Sequence, residues 1–264
     1  MKAEALRAPV LAPAHRGFLW RRLHGFTGVF PVGVFLISHL WTNATGLAGQ
    51  QAFDHAVGKI NRLALLPLIE IFGIFLPLGF HALYGVKLSL EARPNVVRYP
   101  FSRNWLYTLQ RATGLVAFAF IVFHLWEFRI AKLLGKMSSE AFYPTLSANL
   151  SSTVGGVPLM ALVYLVGITA SVVHFANGLF TFAFSWGLCL SHRSQRLFSA
   201  ACGVIGLIVL WIGVSTAIFF ATGARWGGIT RAHSSDTELG CSVVDRASAS
   251  PAGPAAAPVV PQNP

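Results

Sequence analysis

Nine histidines occur in the chain, and four of them fall well inside long apolar runs: His39, His81, His124 and His174, each in a different run. An ionisable ring placed in hydrocarbon is costly and marks function by default. Neutral imidazole offers a nitrogen lone pair to a metal, and it is a common axial ligand of haem iron in helical proteins. A single such histidine reads as a packing residue, hydrogen-bonded to a neighbouring helix. Four on four helices point instead to two bis-imidazole haem sites.

Depth along the helices sorts the four into pairs. With the amino terminus on the inner side, His39 lies about 21 Å and His124 about 28 Å from the inner ends of their helices, at 1.5 Å per residue. Both fall in the outer half. His81 lies about 24 Å along a helix that runs back inward, and His174 sits near the middle of a long fourth run. The arithmetic therefore pairs His39 with His124 around an outer haem, and His81 with His174 around an inner one. Four glycines match those depths. Gly28 and Gly114 fall at the inner level, Gly73 and Gly167 near the outer one. Each either clears room for a porphyrin face or serves ordinary close helix packing.

The elements that hold these residues follow from composition. Of 264 residues, 54% are hydrophobic and only 11% are charged, whereas soluble domains carry about 25% charged residues. Apolar runs at 25–47, 63–90, 105–130, 155–188 and 198–222 are each long enough to cross a bilayer. The expected fold is an all-α integral membrane protein, a bundle of about five transmembrane helices enclosing two b-type haems. Arg21, Arg22 and His24 precede the first run, which lacks a small-residue cleavage site and reads as a retained helix rather than a signal peptide. The net charge of +11 is dispersed in short groups between the runs, which speaks against a nucleic-acid surface and for contact with membrane lipid. Cys189, Cys202 and Cys241 form no CxxC pair, so neither zinc nor an iron–sulfur cluster is expected in this chain.

Of the 20 lysines and arginines, twelve fall on the inner side and eight on the outer when the amino terminus is placed in the cytoplasm. This favours an inside amino terminus and an outside carboxyl terminus. Residues 1–20 read as a cytoplasmic leader and 21–223 as the bundle. The Ala-, Pro- and Ser-rich 224–264 reads as a disordered extracytoplasmic tail.

The strings RRLHG (21–25), SHL (38–40), EIFGIFLPLGFHALYGV (70–86), RNWLYTLQRATG (103–114), HLWE (124–127), HFANG (174–178) and HRSQR (192–196) carry a family resemblance. Together they resemble the type B cytochrome b subunit of succinate dehydrogenase and fumarate reductase, a single-chain, five-helix, dihaem membrane anchor. The resemblance covers about residues 20–220. It implies that His39 and His124 ligate a low-potential outer haem, and His81 and His174 a high-potential inner one. It also implies two partners, a flavoprotein carrying FAD and an iron–sulfur protein docked on the cytoplasmic face of a bacterial inner membrane, and a quinone acceptor, with menaquinone suiting a low-potential outer haem. Within redox chemistry the rival is the cytochrome b of a hydrogenase or formate dehydrogenase. Outside it, the rival is a transporter with a histidine proton relay.

Other polar residues acquire expected roles in that frame. Glu70, near the outer start of the second run, is placed to exchange the proton that accompanies quinone reduction, or else pairs with a neighbour such as Arg62. Glu127, one turn beyond His124, reads as interfacial. Arg111 and Gln110 sit at a level suited to inner-haem propionates, whose charge calls for an arginine contact. Arg21, Arg22, His24, Lys87 and Arg103 are further propionate candidates or head-group anchors. Tyr84 and Asn177, one turn after His81 and His174, are candidates for hydrogen bonds near the inner haem.

Overall fold

The computed structural model describes residues 13–224. The expected leader falls mostly outside the described residues, and the tail from residue 225 onward, with His233 and Cys241, lies wholly outside them.

Among the described residues, five helices are long and apolar enough to cross a membrane: α1 (Gly17–Ala48, continuing a helix begun at Pro13), α3 (Leu66–Leu90), α4 (Ser102–Leu133), α6 (Leu159–Ser185) and α7 (His192–Thr222). Two shorter helices, α2 (Gln50–Asn61) and α5 (Phe142–Ser151), lie in the α1–α3 and α4–α6 connections and touch each other. The end of the bundle nearer the amino terminus is called inner below, the opposite end outer.

The apolar runs mark the spans but not their ends. Helix α1 starts ahead of Arg21, Arg22 and His24, so these residues lie inside the helix rather than before it. Arginine forms helix readily and its long stem carries the charge to the interface. Helix α6 starts later than its apolar run. Gly155 and Gly156 adopt φ of +59° and +82° in a tight reversal closed by a Val154–Val157 bridge, and Pro158 follows. Helix α7 starts early because the Ser191 hydroxyl accepts the Ser194 amide at 3.1 Å, a side-chain cap.

Helix α6 is the hub, packed along α4 and α7 and touching α1, while α3 closes the bundle between α1 and α4. Close approach of α6 and α7 depends on small residues: a methyl group on Gly206 would fall 2.7 Å from Ala176 Cβ, and one on Gly213 2.7 Å from Ile168. Interfaces of this kind bring apolar helices together where no water-driven force acts between them. The outer faces are apolar, with Trp41, Leu83 and Trp126 about two-thirds exposed, as a lipid-facing surface requires.

Three spans are not uniform α-helix. Wider π turns occupy Gly28–Gly33, Ile69–Phe75 and Leu125–Ile130. The first contains Pro31 and the second ends just before Pro77, residues whose rings disturb the normal ladder.

Candidate functional site

At the inner end, His81 from α3 and His174 from α6 face each other with ring centres 6.0 Å apart and planes at 82°. Each is fixed by a carbonyl of another helix. The Nδ1–H of His81 donates to the His24 carbonyl at 2.9 Å, and that of His174 to the Gln110 carbonyl at 2.9 Å. This sets the tautomer and puts the lone pair on Nε2; that of His81 is free, and that of His174 faces the Gln110 side-chain amide at 3.4 Å. The Gln110 side chain adds a bond to the His174 carbonyl at 3.1 Å and accepts one from Asn177 at 2.7 Å. The His24 ring lies parallel to His81 at 4.0 Å.

Gly28 and Gly114 stand at this level, but the room they make is taken by the imidazoles rather than by an open face. A methyl group on Gly28 would collide with the His81 ring, and one on Gly114 would lie 2.8 Å from His174 Cε1. A side chain on either passing helix would push a histidine aside.

Buried polar atoms without a partner occur toward this end. The Nε of Arg22, the Nε of Arg111 and the Nδ1 of His24 are buried without a hydrogen-bond partner. Buried donors are rarely left unpaired. Arg22 otherwise donates to the Ser185 carbonyl at 3.2 Å, and Arg111 to the Tyr107 carbonyl at 2.8 Å while lying 3.2 Å over that ring. The remaining expected cations have other partners. Arg21 and Lys87 share Glu91 at 3.9 and 3.8 Å on an exposed surface, and Arg103 donates to Gln195 at 2.6 Å. Tyr84 stacks on Phe80 and has its ring 5.8 Å from His24.

At the outer end, His39 from α1 and His124 from α4 lie with ring centres 5.7 Å apart and planes at 72°. Phe35 flanks the first ring and Phe120 the second. Gly167 admits the Phe120 ring, which a methyl group there would strike, whereas one on Gly73 would meet only Ile69 at 3.8 Å. Asn43 donates to the His39 carbonyl at 2.8 Å and lies 3.4 Å from His39 Nε2.

Two carboxylates near this pair differ from their expected settings. Glu70 pairs not with Arg62 but with Arg129, at 2.5 Å. Both sit in π turns at the same end of adjacent spans. Arg129 Nε is itself buried without a partner. Glu127 is not a solvated interfacial residue. It accepts the Tyr164 hydroxyl at 2.5 Å and the Asn149 amide, and the Tyr164 oxygen in turn lies 3.2 Å from His124 Nδ1. Tyr164, Asn149 and Arg129 were not singled out by their positions. Tyr164 is one aromatic within a long apolar run, and Arg129 stands at the end of another.

The two histidine pairs are stacked along the bundle. Gly114 touches His174 at the inner level, and His124 lies ten residues further along α4, a rise of about 15 Å. Imidazole nitrogen binds a metal at about 2 Å, so two rings on opposite sides of one iron have centres about 6 Å apart. Both pairs, at 5.7 and 6.0 Å, meet that requirement, and the orphaned cationic donors suit the propionates such a group carries.

No family model matches the chain. It is similar to the succinate dehydrogenase cytochrome b558 subunit of Bacillus subtilis, with 39% identity over 206 residues, which is 78% of this chain and 98% of that relative.

Proposed function

Since the chain belongs to the succinate dehydrogenase cytochrome b subunits, multi-pass membrane cytochromes b, we propose that it holds two haems b. His39 and His124 would ligate the outer one, His81 and His174 the inner. The observation that carries this reading is the presence of two facing histidine pairs at 5.7 and 6.0 Å. A haem so ligated supplies one-electron exchange at its iron.

The chain's own residues supply the rest. His24, Arg22 and Arg111 hold the inner propionates, and the His24 and Gln110 carbonyls keep His81 and His174 in the ligating tautomer. Arg21, Lys87 and Arg103 lie at the inner interface, facing an iron–sulfur partner that receives electrons from an FAD-containing flavoprotein. Electrons cross from that side toward a quinone, menaquinone by family habit, near the outer pair. Glu70, oriented by Arg129, exchanges the proton that quinone chemistry requires. The amino terminus faces the cytoplasm of a bacterial inner membrane, on the side richer in lysine and arginine.

A redox titration of the purified complex, read in the visible haem bands, tests the ligand assignment. Wild type is expected to titrate in two steps. His39→Ala and His124→Ala should abolish one and the same step, and His81→Ala and His174→Ala the other. Loss of the same step in His39→Ala and His81→Ala would contradict the pairing.

A further inference from the structure

We propose that Tyr164 and Glu127 set the reduction potential of the outer haem, by backing the His124 imidazole with a charged hydrogen-bond chain that the inner pair lacks. The inference rests on His124 being an axial ligand.

The direction of each bond follows from proton counting. Tyr164 is buried, 5% exposed, and its hydroxyl proton lies toward Glu127 Oε2 at 2.5 Å. Toward His124 Nδ1, at 3.2 Å, the phenolic oxygen can therefore only accept. His124 donates, and its Nε2 keeps the lone pair. Asn149 donates to the second carboxylate oxygen of Glu127. Among the described residues no cation pairs with Glu127, because Arg129, two positions on, is engaged by Glu70. A carboxylate polarises the tyrosine oxygen it bonds to, which makes that oxygen a stronger acceptor. The stronger the pull on Nδ1–H, the more basic the ligating nitrogen. A more basic ligand favours ferric over ferrous iron and lowers the potential.

The inner histidines are built differently. Both donate to backbone carbonyls of other helices, which are neutral acceptors with no carboxylate behind them. The asymmetry places the stronger ligand field at the outer end. Tyr164 and Glu127 are positioning residues here, acting through His124 and touching no substrate.

The test is a redox titration of the intact complex, with the outer transition defined as the one that His39→Ala removes. Tyr164→Phe keeps the ring and deletes the acceptor. It should raise the outer midpoint by a tenfold change in the reduction equilibrium, about 59 mV for one electron, and leave the inner midpoint in place. Glu127→Gln retains a neutral acceptor for Tyr164 and should shift the outer midpoint in the same direction by less. An outer midpoint unmoved in both variants overturns the proposal, as does an equal shift of both transitions. If Tyr164→Phe fails to assemble, Glu127→Gln decides by the same two criteria. Retention of both transitions in His39→Ala and in His124→Ala overturns the ligand assignment itself, and the proposal with it.

Discussion

The inner histidines divide their two ring nitrogens between tasks: Nδ1–H is tied to a carbonyl on another helix, and Nε2 carries the lone pair, with only the Gln110 amide against that of His174. That division was partly legible beforehand. Four ionisable rings at membrane depth announce themselves in a sequence, since hydrocarbon makes each one costly. Their hydrogen-bond partners do not, because backbone carbonyls carry no residue signature and His24 supplies its carbonyl rather than only its ring. Glu70 was visible as a carboxylate at membrane depth, while its partner Arg129, 59 residues away on the next span, has no spacing signature that would pair the two. Glu70→Gln should leave both haem spectra intact and slow succinate:quinone turnover by on the order of 10²-fold, as loss of a general acid–base does. Reduction of an artificial acceptor at the flavoprotein should stay normal. Unchanged quinone turnover would remove Glu70 from the proton path.

The spans, as elements, were readable from run length, because a bilayer demands about 20 apolar residues and this chain supplies five such runs. Their ends depended on local chemistry that run length ignores: the Ser191 cap, and the paired positive-φ glycines at 155 and 156. The two short helices α2 and α5 fell below the span criterion altogether, although α5 supplies Asn149 to Glu127. Glycine spacing marked places of close approach at the helix scale, and beside Gly28 and Gly114 the neighbour is an imidazole of the next helix. Gly114→Val follows directly: its Cβ would lie 2.8 Å from the His174 ring, and the ring must leave its place. The variant should keep the outer redox step and lose the inner one, roughly halving the haem content per chain measured by pyridine haemochrome. Full haem content in Gly114→Val would show that His174 has room to spare.

At the scale of the whole molecule, charge and function share a direction. The Arg22, His24 and Arg111 donors lie at the inner end with the His81–His174 pair, and Glu70 and Arg129 at the outer end with His39–His124. An electron entering from the more basic side would meet the inner pair first. Reporter fusions check this polarity. A cytoplasm-active fluorescent protein joined within the 91–101 loop should be bright, and one joined after Thr222 dark. The reverse pattern would place the quinone end in the cytoplasm.

The π turns also settle a matter of indexing. From Gly28 to His39, α1 takes eleven residues, whereas α4 takes ten from Gly114 to His124. The longer interval is the one containing a π turn. Such a turn closes five residues on instead of four and so absorbs one residue without advancing the phase of the helix. In angular terms eleven equals ten. Helices α1 and α4 therefore present matched rungs, a glycine at the inner level and a histidine at the outer, drawn in unequal lengths of sequence. A homologous helix built without the wide turn would need one residue fewer between its glycine and its histidine to present the same face.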